Sequence, residues 1–403
     1  MNKSQLAIHG GEPARKNYLP YGKQWIDEED IKAVEEVLKG DYLTTGPTIA
    51  LFERRIAEYV GAKYAVAFAS GTAALHGACF AAEIVEGDEV ITTPLTFAAS
   101  ANCILYQGGK PVFADIDTKT YNINPDSIRG LITEKTKAII PVDFAGQPVD
   151  IDAIKHIAEE YNLIVIEDAA HALGSVYKNK KVGSLSHMTM FSFHPVKLIT
   201  TGEGGVITTD NEEYYRRLLI FRTHGITRDR QRIINNHGPW YYEMQHLGFN
   251  YRLTDIQAAL GISQLKKIDF FLARRKKYAE MYNEVFQDIE QIRCPAGLEG
   301  TSSSWHLYII GLNIDRLTVG RREIFEALLK ENIGANIHYI PVYYHPYYQS
   351  LGYKKGLCPN AEKVYEEIIT LPLFPAMSKD DVMDVTQGVM KVIKCFKNIK
   401  HIF

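Results

Sequence analysis

Between residues 60 and 210 the sequence alternates short apolar runs with segments of helical periodicity, and this alternation is what most constrains the fold. The runs are Tyr64–Phe68, Glu89–Thr93, Pro111–Ile116, Ala138–Val142, Leu163–Ile166, Thr189–Phe193 and Val206–Thr209. Most are continuously apolar and do not alternate with polar residues. A strand that is apolar on both faces must be covered on both faces, which a mostly parallel sheet between layers of helix provides. We therefore expect an α/β domain built on about seven strands.

The flanking segments read differently. Residues 1–25 carry Gly10, Gly11, Pro13, Pro20 and Gly22 and are expected to form an extended arm. Asp27 precedes an acidic first turn with Ile31, Val34 and Leu38 at helical spacing, so a helix is expected to start there. Residues 26–268 are taken as a large domain and 269–403 as a smaller α+β domain. In the latter, Trp305–Leu312 reads as a strand, and Arg321–Asn332 and Asn360–Ile369 read as helices. Ser378 to Asp381 is a capping box that opens a final helix along Val382, Val385, Val389 and Val392.

Composition narrows the function classes. A net charge of -3 leaves no electrostatic footprint for nucleic acid. Five widely spaced cysteines with no CxxC argue against a disulfide framework and a structural metal site, and fit a reducing compartment. No apolar run is long enough for a signal peptide or a membrane span, so the expected address is the cytoplasm.

Three motifs each sit where a predicted strand ends. Ala69-Ser70-Gly71-Thr72 follows the first strand and opens an apolar helix. Free N–H groups, two hydroxyls and a glycine at such a point suit a phosphate, although a plain Ser/Thr helix cap has the same composition. Asp168 closes the run Ile164–Glu167. A carboxylate there can hold a ring nitrogen protonated, or cap a helix, and nearby His171 can be a ligand or a core histidine. Lys197 follows Phe191-Ser192-Phe193-His194 and precedes Thr200-Thr201-Gly202-Glu203-Gly204-Gly205. A partly buried lysine with a lowered pKa can form a Schiff base, whereas a surface lysine in a glycine turn cannot. Together the three point to pyridoxal phosphate. No GxGxxG follows the early strands, which argues against a dinucleotide oxidoreductase.

With these residues in place, the chain resembles the DegT-type sugar aminotransferases, a branch of the fold-type-I pyridoxal-phosphate enzymes. The resemblance includes Leu6–Gly11, Leu43–Pro47, Thr93–Phe97, Gly248–Asp255 and, most specifically, Phe191–Gly205. It implies a large domain with a mixed, mostly parallel seven-stranded sheet, a smaller C-terminal α+β domain, and a homodimer with shared sites. It implies that Lys197 holds the cofactor, that Asp168 pairs with the ring nitrogen, that Phe97 stacks on the ring and that His171 lies near its phenolic oxygen. Ser70, Gly71, Thr72 and Ser192 would hold the phosphate, and Asn250 would reach it from the neighbouring subunit. Members that carry out dehydration replace the lysine with histidine, so Lys197 favours amino transfer; catalytically silent regulators also occur among relatives.

Within the family, Phe193–Lys197 with Ile199–Gly205, Asn336–Val342 and His345–Tyr348 is similar to the pseudaminic-acid branch. That branch aminates a UDP-linked 4-keto-6-deoxy-N-acetylhexosamine, with L-glutamate as the expected donor. His338 and Tyr339 are accordingly expected at the sugar substrate. The segment 222–246, with Arg222, His224, Arg228, Arg230, Arg232, Trp240, Tyr241 and Tyr242, is a candidate clamp for the nucleotide diphosphate, or else a solvated loop.

Overall fold

The structure is a computed structural model and describes residues 5–235 and 237–398. Its centre is a seven-stranded sheet. The strands are β1 (Tyr64–Phe68), β2 (Glu89–Thr92), β3 (Lys110–Phe113), β4 (Thr136–Ile140), β5 (Ile164–Asp168), β6 (Met188–Ser192) and β7 (Gly205–Thr209), in the order β1-β7-β6-β5-β4-β2-β3. All seven coincide with the apolar runs, to within a few residues at the ends. β7 is antiparallel to both of its neighbours and the remaining pairs are parallel, which makes the sheet mixed and mostly parallel.

The antiparallel strand decides where the site lies. Because β7 alone is reversed, β1, β5 and β6 all end on the same edge of the sheet, and β7 begins there. Gly205, the first residue of β7, is in register with Phe68 on one side and Ser192 on the other. A Cβ at Gly205 would come 2.6 Å from the backbone O of Ser70 and 2.7 Å from the Cα of Gly71. Only glycine lets the three loops close on one another.

Helices cover both faces. α1 (Glu28–Leu38) starts at Asp27 in a capping box completed by Asp30. α2 (Pro47–Val60) has no counterpart among the expected elements, although Pro47 at its first position and left-handed Gly61 after its end are start and stop signals. Its amino end is capped at a distance: the buried carboxylate of Asp255 accepts from the N–H groups of Gly46 at 2.7 Å and Thr48 at 2.9 Å. α3 (Gly71–Ala81), α4 (Ala99–Tyr106), α5 (Ile151–Tyr161), α6 (Glu212–Phe221) and α7 (Asp255–Leu265) complete the layers. α8 (Ile268–Phe286) buries Ile268 and Phe271 in the core of the large sheet and Tyr278, Tyr282 and Phe286 in the C-terminal core, so it belongs to both.

The C-terminal unit is a three-stranded antiparallel sheet of β8 (Ile292–Arg293), β9 (Tyr308–Leu312) and β10 (Ile368–Leu371). It packs with α9 (Arg321–Lys330), α10 (Pro359–Glu367) and α11 (Lys379–Phe396). Here the expectation needs correcting. The helix read over Asn360–Ile369 stops at Glu367, and Ile368-Ile369-Thr370-Leu371 becomes a fully buried strand. The β-branched run pairs with β9, and that tertiary pairing overrides a helical spacing. The amino-terminal arm is less extended than expected. Ala7–His9 is a 3-10 turn, Leu6 and Leu19 lie in the C-terminal core, and the Glu331 carboxylate accepts from Ala7 and Ala14 N–H.

Candidate active site

The sheet edge opens on a cavity of about 690 Å³ lined by all three motifs. Ser70, Gly71, Thr72, Phe97, Asp168, His171, Ser192, Lys197, His338 and Tyr339 all face it. These residues are scattered from 70 to 339: β1, β5 and β6 bring theirs to one edge of the sheet, the loop after β2 adds Phe97, and the C-terminal unit adds His338 and Tyr339.

At one end of the cavity is the amino terminus of α3. Ser70 caps the helix, its hydroxyl oxygen accepting from Ala73 N–H at 3.1 Å. The cap and the ligand reading are therefore compatible: the oxygen serves the helix, and the hydroxyl proton is left for an anion. A Cβ on Gly71 would lie 3.2 Å from Ser192 Cβ and 3.3 Å from Ser192 Oγ, so the Ser192 hydroxyl closes directly over the glycine. Free N–H groups, the helix dipole and hydroxyls from two strands form a cradle for a phosphate.

In the middle is Asp168, the last residue of β5, almost fully buried. Its Oδ2 accepts from the Ser100 hydroxyl at 2.6 Å and its Oδ1 from Ala170 N–H at 3.1 Å. Thr96 shares a 2.8 Å hydrogen bond with Ser100 and extends the network. Burial pushes the carboxyl pKa up, while Ser100, the Ala170 amide and the charge of Lys197 pull it down. Ser100 is a functional residue that sequence reading missed. It lies one helical turn after Phe97, with no local sign of its partner.

Lys197 sits on the turn after β6, its N–H bonded to His194 O at 2.9 Å. Among the described residues its side chain has no hydrogen bond or ion pair. Burial lowers its pKa to about 8, against the attraction of Asp168. An amine that is buried, unpaired and easily deprotonated is equipped to attack a carbonyl.

The far wall comes from the C-terminal unit. His171 Nδ1 accepts from Ala145 N–H at 3.3 Å, an amide aimed by the left-handed φ of 57° at Ala145. Its Nε2 lies 3.2 Å from Tyr339 Oη. Burial, with Lys197 and His338 adding to it, holds the His171 pKa well below the ordinary range, so the ring is neutral. Since Nδ1 accepts, Nε2 carries the proton and donates to Tyr339. His338 Nδ1 is 2.8 Å from Thr370 Oγ1 on β10, and burial drops its pKa to about 3. His306 also lines the cavity, its ring 4.4 Å from His171, and was not anticipated.

Asn250 and Arg228 do not reach this cavity. Asn250 is exposed and bridges to Thr223, while exposed Arg228 lies 5.5 Å over the Tyr242 ring. The clamp reading also loses a member. Arg222 is ion-paired with Glu53 and donates to Ala67 O at 2.6 Å, so it is held in the structure and not offered to a ligand. No cluster of His, Cys, Asp and Glu suited to a metal occurs among the described residues.

The donor set fits pyridoxal phosphate: a phosphate cradle at Ser70–Thr72 and Ser192, a carboxylate at Asp168 and a free amine at Lys197, around one cavity. Comparisons with known proteins agree. The profile of the DegT/DnrJ/EryC1/StrS aminotransferase family matches residues 24–390. The spore coat polysaccharide biosynthesis protein SpsC of Bacillus subtilis is 43% identical over 382 residues, 94% of this chain and 98% of that protein. Among solved structures, PseC of Helicobacter pylori, an aminotransferase involved in the biosynthesis of pseudoaminic acid, matches with a TM-score of 0.88 and 36% identity, over 94% of this chain and 100% of its own. Spr1654 of Streptococcus pneumoniae, assigned as a sugar aminotransferase and solved in PLP and PMP forms, matches at 0.87 and 33%, over 94% and 99%.

Proposed function

This chain belongs to the DegT/DnrJ/EryC1/StrS aminotransferase family, and on that premise we propose that it moves an amino group from L-glutamate to a nucleotide-linked 4-keto-6-deoxy sugar. It is a sugar aminotransferase and its cofactor is pyridoxal phosphate. In our reading the sugar is UDP-2-acetamido-2,6-dideoxy-beta-L-arabino-hexos-4-ulose, as in pseudaminic acid biosynthesis. The similarity to PseC over almost all of both chains supports this. The single observation that carries the reading is the unpaired Lys197 amine in one cavity with Asp168 and the α3 terminus.

The residues divide the work. Ser70, Gly71, Thr72 and Ser192 would hold the phosphate, and Lys197 Nζ would hold the cofactor. Bound there, pyridoxal phosphate supplies an electron-withdrawing ring that accepts the electron pair left when a proton leaves the amino-bearing carbon. Asp168, whose carboxylate accepts from Ser100 and Ala170, would keep a proton on the ring nitrogen. Lys197 Nζ takes the proton from the donor's α-carbon and later delivers one to the sugar carbon. Tyr339 and His338 would face the sugar, and Phe97 would pack on the ring. Two substrates served in turn at one site give ping-pong kinetics.

We further propose a homodimer in which Asn250 serves the neighbouring site. Its exposure on this protomer supports that, as does the exposure of the apolar side chains of Trp240, Met244 and Leu247. A cytoplasmic address fits five unpaired cysteines and described helices none of which is long and apolar enough to cross a membrane. The test is a panel of nucleotide keto-sugars with L-glutamate and purified protein, followed by product analysis. Amination at C4 of the UDP-linked sugar is expected. Amination at C3, or of another nucleotide sugar alone, replaces the substrate assignment, and release of water in place of amination overturns the reaction class.

A further inference from the structure

Directly behind Asp168 lie two more carboxyl groups that the reaction does not use. Glu167 precedes it on β5 and points to the opposite face, as successive strand residues must. Asp143 follows β4, and its N–H donates to the backbone O of Asp168 at 3.1 Å. Both side chains are fully buried.

Their hydrogen bonds leave a specific gap. Glu167 Oε2 accepts from Ser186 Oγ at 2.9 Å and Thr189 Oγ1 at 3.0 Å, and Asp143 Oδ1 accepts from Val149 N–H at 2.9 Å. Glu167 Oε1 and Asp143 Oδ2 are buried and have no donor. The two groups are neighbours: Asp143 N–H is bonded to Asp168, the residue next to Glu167, and each carboxyl acts on the proton affinity of the other. Two ionised carboxylates cannot satisfy each other, because both only accept. One proton between them satisfies both orphan oxygens at once and removes one of two buried negative charges.

We propose that Asp143 and Glu167 share a single proton, and that the one negative charge the pair keeps stabilises positive charge held in front of Asp168. The proton resides on Asp143, because Glu167 already has two hydroxyl donors for its charge and Asp143 has one amide. Burial and mutual repulsion raise the affinity of Asp143 for protons far above that of a free carboxyl, and raise that of Glu167. The other charged groups acting on the pair are Asp168 on β5, which raises the affinity, and Lys155 on α5, which lowers it. Resting on the reading that Asp168 faces the ring nitrogen, this makes Asp143 and Glu167 positioning residues that act through Asp168 and never touch substrate.

The shared proton is testable without cofactor. Infrared spectra of the cofactor-free wild type at neutral pH should contain the carbonyl stretch of a neutral carboxylic acid, and Asp143→Asn should lose it. No such band, or one untouched by Asp143→Asn and Glu167→Gln alike, overturns the shared proton. The wild type reads it independently. The native state holds a proton the unfolded chain releases, so this contribution to stability is present below about pH 4 and fades as pH rises, by about tenfold in the folding constant per unit. Asp143→Asn should flatten that slope, and an unchanged slope counts against the pair.

The charge is tested in the holoenzyme. Asp143→Asn keeps the charge on Glu167, and the double variant Asp143→Asn with Glu167→Gln keeps none. The pH at which the bound cofactor's visible band titrates should fall by about one unit in the double variant and much less in Asp143→Asn. Equal shifts in the two overturn the electrostatic role. Asp168→Asn in the same assay separates the two readings: if it moves nothing, the assignment of Asp168 fails while the infrared result still stands.

Discussion

The hydroxyl of Ser100 donates to the Asp168 carboxylate at 2.6 Å, from 68 residues earlier in the chain. Burial raises the pKa of this acid, and the bond from Ser100 is the largest of the effects that pull it back down.

Ser100→Ala removes that donor and leaves the carboxylate with one amide. A hydrogen bond to a charged group is worth about 1.5–3 kcal/mol, so the Asp168 pKa should rise by about 1–2 units. The acid limb of kcat/KM should move to higher pH by a similar amount, with the alkaline limb in place. An unmoved acid limb removes Ser100 from the proposed mechanism.

Lys197 has a pKa lowered to about 8, and only its neutral amine attacks a carbonyl. Reconstitution of cofactor-free protein with pyridoxal phosphate should therefore quicken as pH rises and level off above about 8. In Lys197→Ala, borohydride reduction followed by denaturation should leave no cofactor on the chain. Mass spectrometry that finds it still attached, on any residue, contradicts the assignment.

Tyr339 accepts from His171, so its own phenolic proton points away from that bond and is free to donate into the cavity. Tyr339→Phe should lower kcat/KM for the keto-sugar by about tenfold, the worth of one net hydrogen bond, and leave the glutamate half-reaction nearly intact. Nitrogen-15 NMR should show His171 neutral with its proton on Nε2 across the physiological range. A proton on Nδ1 contradicts the bond from Ala145.

Arg222 and Arg228 stand close in sequence but do different things. Arg222 is mostly buried against Glu53, and losing one partner of such a pair costs about 3 kcal/mol. Arg222→Ala should lower the melting temperature with little change in KM for the nucleotide sugar. Arg228→Ala, on the surface, should do the reverse if the 222–246 segment meets the diphosphate. A KM unchanged in Arg228→Ala removes the clamp.

The large sheet was legible because its strands are buried on both faces, and continuous apolar runs such as Ile164–Ile166 have few other uses. The helix cap at Asp27 and the capping box at Ser378 are equally local, since cap and partner lie within four residues. What escaped notice depends on distant neighbours. Ile368–Leu371 became a strand because β9 was there to pair with it, and Asp255 accepts from the helix-capping Gly46, 209 residues away.

The sequence by itself determined the cofactor chemistry, because Ser70–Thr72, Asp168 and Lys197 each follow their own strand and the residue types state their tasks. Tertiary structure alone decided how those groups are charged and aimed. The reversal of β7 sets three strand ends on one edge and Gly205 lets their loops touch. Ser100 then donates to Asp168, and the Ala145 amide sets which nitrogen of His171 carries the proton, through contacts between segments far apart in the chain. Proton placement depends on burial and on distances of a few ångströms, and neither is written in the order of residues along a chain.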